Sequence, residues 1–76
     1  MSVAEFLIEE QTSDVVVFSL SYGLRTYHDF LLIKTQSLAS VNRQIIAFLE
    51  SHGCDRRLCT VISHYFKEFY SKNFLK

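Results

Sequence analysis

The stretch that decides the fold is residues 55–74, DRRLCTVISHYFKEFYSKNF. Its apolar residues recur three and four positions apart, which is the spacing of one face of an α-helix. Asp55 precedes this pattern and is a preferred N-cap residue, because its carboxylate can accept from amides of the first turn. The pattern predicts a long helix with a wide aromatic face that needs a large surface to pack against. The apolar positions are Leu58, Cys59, Val61, Ile62, Tyr65, Phe66, Phe69 and Tyr70.

A second helical pattern precedes the first. Ser37 is its predicted N-cap, and Gly53 stands where a helix C-terminus favours glycine. Only a few residues connect the two helices, so we expect them to pack against each other as a hairpin. The apolar stripe of this helix consists of Leu38, Val41, Ile45, Phe48, Leu49 and His52.

The first half of the chain reads as strands. Residues 15–20, VVVFSL, are rich in β-branched and aromatic side chains, and Gly23 follows where a tight turn favours glycine. Residues 26–34 resume the strand pattern, with Phe30, Leu32 and His28 predicted on one face. Tyr27, Asp29, Leu31 and Ile33 are predicted on the other face. Apolar residues on both faces indicate that this strand is covered on both sides, by helices on one and a second subunit on the other.

Residues 3–10 fit two structures. Ser2 and Glu5 have the spacing of a helix capping box, whereas Phe6 and Ile8 alternate with Glu5, Leu7 and Glu9 as in a strand. We favour the strand, followed by a polar turn at residues 11–14. The predicted fold is therefore α+β: two or three antiparallel strands in a meander, then a C-terminal two-helix hairpin packed on one sheet face. We expect residues 1–76 to form a single domain.

The composition favours an interaction protein. Hydrophobic residues make up 49% of the 76 residues, with seven Phe and four Tyr. A chain this short buries only about 60% of the surface that its unfolded form exposes, so we expect the surplus to form a self-association or partner surface. The formal net charge is zero, but acidic residues dominate the first 30 positions and basic residues dominate the end. Two cysteines do not make a disulfide framework, and no apolar run is long enough to span a membrane, so we predict a cytoplasmic protein with free thiols.

No pattern points to catalysis, a cofactor or a metal. Gly23 and Gly53 are the only glycines, so a glycine-rich phosphate loop is excluded. His52, Cys54, Cys59 and His64 include zinc-ligand types but lack the spacing of a zinc knuckle. His28 and Asp29 are neighbours in a predicted strand, where side chains point to opposite faces. We therefore predict no enzyme, no cofactor and no metal site.

The order strand, helix, glycine turn, helix over residues 27–70 resembles that of ribbon-helix-helix regulators. The resemblance implies a dimer whose paired strands enter the DNA major groove. The chain departs from that pattern at the reading strand, where Phe30, Leu31, Leu32 and Ile33 are apolar rather than polar or basic.

The leading functional hypothesis is a small intracellular regulator, adaptor or inhibitor that binds a larger protein and forms a homodimer. Its predicted interface is one side of the last helix: Cys59, Ile62, Phe66, Tyr70 and Phe74. The opposite side, with Leu58, Val61, Tyr65 and Phe69, is predicted to pack in the core. The alternative is a DNA-binding regulator that contacts nucleic acid through Arg56, Arg57, Lys67 and Lys72.

Overall fold

The computed structural model describes residues 3–75 and has the element order β-β-β-α-α. The chain divides into two compact units, Met1–Lys34 with the strands and Thr35–Lys76 with the helices. The α+β prediction is confirmed in its class and its element order, while the assignment to a single domain stays a prediction. The elements are β1 (Glu5–Gln11), β2 (Val15–Tyr22), β3 (Arg25–Ile33), α1 (Leu38–Ser51) and α2 (Arg56–Phe74).

The strands form one antiparallel sheet in the order β1-β2-β3. The favoured prediction for the N-terminal segment is confirmed, because β1 pairs with β2 in a register that sets Phe6 opposite Leu20 and Ile8 opposite Phe18. The capping-box alternative depended on Ser2, which lies outside the described residues.

Both predicted turns are present, and each has a local cause. Between β1 and β2, the Thr12 hydroxyl accepts from the backbone N–H groups of Asp14 and Val15, at 3.3 and 3.1 Å. Between β2 and β3, Gly23 has φ = 62°, which glycine adopts without the steric cost that a Cβ brings. Gly23 is thus the first of two residues that join Tyr22 to Arg25 in a tight hairpin.

One face of the sheet is buried. Val16, Phe18 and Leu32 have no exposed surface, and their partners across the sheet share the same side. The rings of Phe18 and Phe30 lie 6.1 Å apart, within the range of favourable aromatic pairs. The core of the strand unit therefore lies on this face, and its buried residues are Val16, Phe18, Leu20, Phe30 and Leu32.

A β-bulge in β3 overturns one predicted face assignment. Phe18 pairs with Phe30 but Leu20 pairs with Tyr27, so His28 and Asp29 together stand opposite the single residue Ser19. Asp29 takes φ = 62°, a conformation that short polar side chains tolerate better than most. Strict alternation ends at the bulge. The prediction that His28 shares the face of Phe30 is wrong, since Tyr27, opposite the buried Leu20, lies on that face instead.

The helix α1 begins and ends as predicted. The Ser37 hydroxyl accepts from the N–H of Ser40 at 3.2 Å. At the other end Gly53, with φ = 80°, donates its N–H to Glu50 and Cys54 donates to Leu49. These two bonds form a Schellman motif, which satisfies carbonyls that the helix end leaves unpaired.

Replacing Gly53 by alanine isolates the backbone cost of this motif. A Cβ at this position would meet no atom within 4 Å, so the only penalty is the positive φ. We expect Gly53→Ala to lower the free energy of unfolding by about 1–2 kcal/mol. Gly53→Asn should lower the free energy of unfolding less than Gly53→Ala does, because asparagine tolerates the left-handed region better than alanine. Urea unfolding measures both changes, and an alanine variant as stable as the parent would contradict this description of the helix end.

The helix α2 is capped as predicted, since the Asp55 carboxylate accepts from the N–H of Leu58 at 2.8 Å. It packs against α1, as the short connection predicts. Tyr70 also holds the segment before α1: its hydroxyl donates to the Thr35 carbonyl at 2.8 Å and accepts from the Thr35 N–H at 3.0 Å. The core of the helical unit contains Val41, Ile45 and Leu49 from α1 and Cys59, Ile62, Phe66 and Tyr70 from α2.

Candidate functional site

The predicted interface on α2 is buried within the chain. Phe66 has no exposed surface and Cys59, Ile62 and Tyr70 are 1–2% exposed, while Phe74 is half-buried. The side chains assigned to the core on the other side, Leu58, Val61, Tyr65 and Phe69, are only half-buried. The buried side of α2 is therefore the one predicted to form the interface, and the side predicted to pack in the core is only half-buried.

Ser63 contributes to this difference. A hydropathy pattern counts serine as polar, yet Ser63 is 3% exposed, and its hydroxyl donates to the Thr60 carbonyl at 3.1 Å. With that donor satisfied, the buried arc of α2 extends to Ser63 and its centre moves to Phe66. The spacing of apolar residues predicts how wide the buried face of a helix is. Where the centre of that face lies depends also on small polar residues, such as Ser63, that can be buried.

The exposed apolar surface lies instead on the second face of the sheet. We call Leu7, Val15, Val17, Leu31 and Ile33 the open face. Register puts them on one side, because Val15 pairs with Ile33, Val17 with Leu31, and Leu7 with Ser19. Leu7, Leu31 and Ile33 are 63, 56 and 60% exposed. The sequence carried this signal, in the apolar residues that alternate onto both faces of the third strand.

The open face has a polar end. Beyond Ser19 it continues into Ser21 and Thr26, a cross-strand pair whose hydroxyl oxygens are 3.5 Å apart. On β1, Glu10 stands opposite Val17 and supplies an acidic margin. The apolar part thus lies mainly at the end of the sheet where residues 15–17 meet residues 31–33, and it extends on β1 to Leu7 opposite Ser19.

The four predicted nucleic-acid contacts fall into two groups. Arg56 and Arg57 are exposed in the first turn of α2. Lys67 and Lys72 follow ten or more residues later, which is about 15 Å or more along the axis at 1.5 Å per residue. The two lysines instead line a groove beside α1.

This groove lies between α1 and α2 and has a volume of about 560 Å³. On α2, the imidazole Nε2 of His64 is 3.3 Å from the carboxylate of Glu68. Lys72 is exposed and Lys67 is half-buried. Apart from Leu38 and Ala39, every lining residue has a polar side chain. Among the described residues, the lining consists of Leu38, Ala39, Asn42, His64, Lys67, Glu68, Ser71 and Lys72.

The cysteines and histidines have structural surroundings. Cys54 and Cys59 are buried and form no disulfide bond. Burial, followed by the neighbouring Cys54, raises the pKa of the Cys59 thiol, which keeps it protonated and weakly nucleophilic at neutral pH. His52 caps α1, with Nδ1 2.9 Å from the Phe48 carbonyl. Within residues 3–75, no group of three or more His, Cys, Asp or Glu side chains is arranged to hold a metal ion.

Comparisons with protein-family models, with curated proteins and with solved structures find no match to this chain. Among the described residues, neither helix is both long enough and apolar enough to cross a membrane.

Proposed function

We propose that this chain is a small protein-binding regulator, adaptor or inhibitor that self-associates through the open face of its sheet. The observation that carries the proposal is the exposure of paired apolar side chains on that face, Leu31 beside Val17 and Ile33 beside Val15. An antiparallel sheet whose second face meets water normally carries polar residues there. Here the apolar end of the face favours a protein surface as its neighbour. Two cysteines that form no disulfide bond support a reducing, cytoplasmic location.

The size of the open face favours weak association. Three strands about 4.8 Å apart and roughly eight residues long at 3.3 Å each cover about 380 Å², and the open face is only part of that area. A stable interface of standard size buries about 800 Å² on each partner. Self-association through this face alone is therefore expected to be reversible and concentration-dependent. That behaviour suits a regulator which exchanges one partner for another.

Sedimentation velocity over a dilution series tests the proposal. We expect the parent chain to sediment faster as its concentration rises. The double variant Leu31→Thr, Ile33→Thr places threonine, a β-branched residue that favours strands, at both positions but removes much of the exposed apolar surface, so it should remain a monomer throughout. The matched control is Leu24→Thr, because Leu24 is fully exposed in the hairpin turn and lies off the open face. A parent that stays monomeric, or a double variant that associates as the parent does, would refute self-association through this face.

The alternative function is nucleic-acid binding through Arg56, Arg57, Lys67 and Lys72. Its support is the exposure of Arg56 and Arg57 at the start of α2. Fluorescence anisotropy with duplex DNA distinguishes the two functions. Our proposal predicts no salt-sensitive binding, whereas the alternative predicts an affinity that falls with salt with a log–log slope of about −0.9 per phosphate contact.

A further inference from the structure

We propose that the groove between α1 and α2 binds an acidic, amphipathic helical segment of a partner protein. This inference deepens the proposed function and rests on it, since it names the chemistry of the partner. It concerns a different surface from the open face, so the two can fail separately.

The apolar part of the groove comes from α1. Leu38 is 38% exposed and Ala39 is exposed, and both line the groove at the start of that helix. The half-buried Lys67 adds its aliphatic stem from α2. A helix laid in this groove would place one or two apolar side chains against Leu38 and Ala39.

The charges of the groove determine which charge a bound helix should carry. Lys67 and Lys72 are five residues apart, so on a helix they project about 140° apart around the axis. They therefore flank the row of His64, Glu68 and Ser71 on its two sides. Acidic side chains on both edges of a bound helix would each meet one lysine. Glu68 is the one acid of the lining, and it is engaged by His64 at 3.3 Å.

A protein segment fits this groove better than a nucleic acid does. Nucleic-acid binding uses many cationic contacts to phosphates. Within residues 3–75, only two lysines line the groove, beside the Glu68 carboxylate and the apolar floor formed by Leu38 and Ala39. A sugar–phosphate backbone has no group to place against Leu38 and Ala39. An acidic amphipathic helix matches both the apolar floor and the cationic edges.

The test is fluorescence anisotropy with labelled synthetic peptides of about 15 residues, enough for roughly 22 Å of helix. One peptide carries leucines at helical spacing flanked by glutamates, and its partner carries lysines in place of the glutamates. We expect the acidic peptide to bind and the basic one not to bind. Titrations run at chain concentrations below self-association, with the parent and with the Leu31→Thr, Ile33→Thr variant.

Point variants assign the binding to the groove. We expect Lys67→Glu and Lys72→Glu each to weaken acidic-peptide binding about tenfold, and Leu38→Asn to weaken it by a similar factor at constant charge. Arg43→Glu makes the same change of charge at an exposed α1 position outside the lining, so it should stay within about twofold of the parent. Glu68→Gln should bind more tightly, because it removes a like charge.

Three results would overturn the inference. The first is that the acidic peptide binds no better than the basic one. The second is that the Leu38 and lysine variants bind the acidic peptide as the parent does. The third is that duplex DNA binds instead of the peptide and that Lys67→Glu abolishes the DNA binding. If self-association through the open face is normal while the peptide fails to bind, the inference falls and the proposed function stands. If the double variant binds the peptide while the parent never self-associates, the proposed self-association falls and the inference about the groove stands.

Discussion

Phe66→Ala is expected to lower the free energy of unfolding by about 3–5 kcal/mol, the usual range for truncating a fully buried aromatic side chain. Phe66 has no exposed surface, and its ring lies 6.3 Å from that of Tyr70 and 6.2 Å from that of Phe69. Removing it leaves a cavity that the core can only partly close. Such a loss is a large share of the stability of a small domain.

The matched control is Phe69→Ala on the same helix. Phe69 is half-buried, so its truncation removes less surface from the core and should cost about 1–2 kcal/mol. Urea unfolding followed by the helical circular dichroism signal gives both values. If Phe69→Ala costs as much as Phe66→Ala, or if Phe66→Ala leaves stability unchanged and weakens association, the observed division of α2 is contradicted.

Tyr70→Phe is expected to cost about 1–2 kcal/mol although it removes a single oxygen atom. The Tyr70 hydroxyl makes two bonds to the backbone of Thr35, one as donor and one as acceptor. Without it the partly buried N–H and carbonyl of Thr35 lose their partner. Because Thr35 is half-buried, water can replace some of this loss, which places the cost below the upper end of the range for an unsatisfied group.

The control for Tyr70 is Tyr65→Phe. Tyr65 lies on the same helix but is only half-buried. Its ring makes an edge contact with His64 that phenylalanine preserves. We expect this variant to be within about 0.5 kcal/mol of the parent, as for surface changes away from special features. Equal losses for the two tyrosines would show that the Thr35 bonds contribute nothing specific.

The parts of the fold that local chemistry determines could be predicted from the sequence. Ser37 and Asp55 cap helices through their own side chains, and Gly23 and Gly53 take positive φ where glycine is favoured. Each of these signals lies within a few residues of the structure that it produces. The helix ends and the hairpin turn followed from them.

The features that depend on distant partners could not be predicted. The bulge at His28 and Asp29 follows from how β3 aligns with β2, and no local pattern marks it. Which side of α2 is buried, Ser63 included, depends on how this helix packs against α1, a separate element of the chain. The bulge changes the faces of Tyr27 and His28, while the burial of Phe66 and its neighbours on α2 leaves the open face as the candidate interface.

The most direct test of the central claim, that the open face is the interaction surface, is a dilution series of amide NMR spectra of the labelled parent chain. We predict concentration-dependent shifts for residues 15–17 and 31–33, with smaller changes on α2. The Leu31→Thr, Ile33→Thr variant should show none of these shifts. Shifts confined to α2, or spectra that do not change with concentration, would contradict the claim.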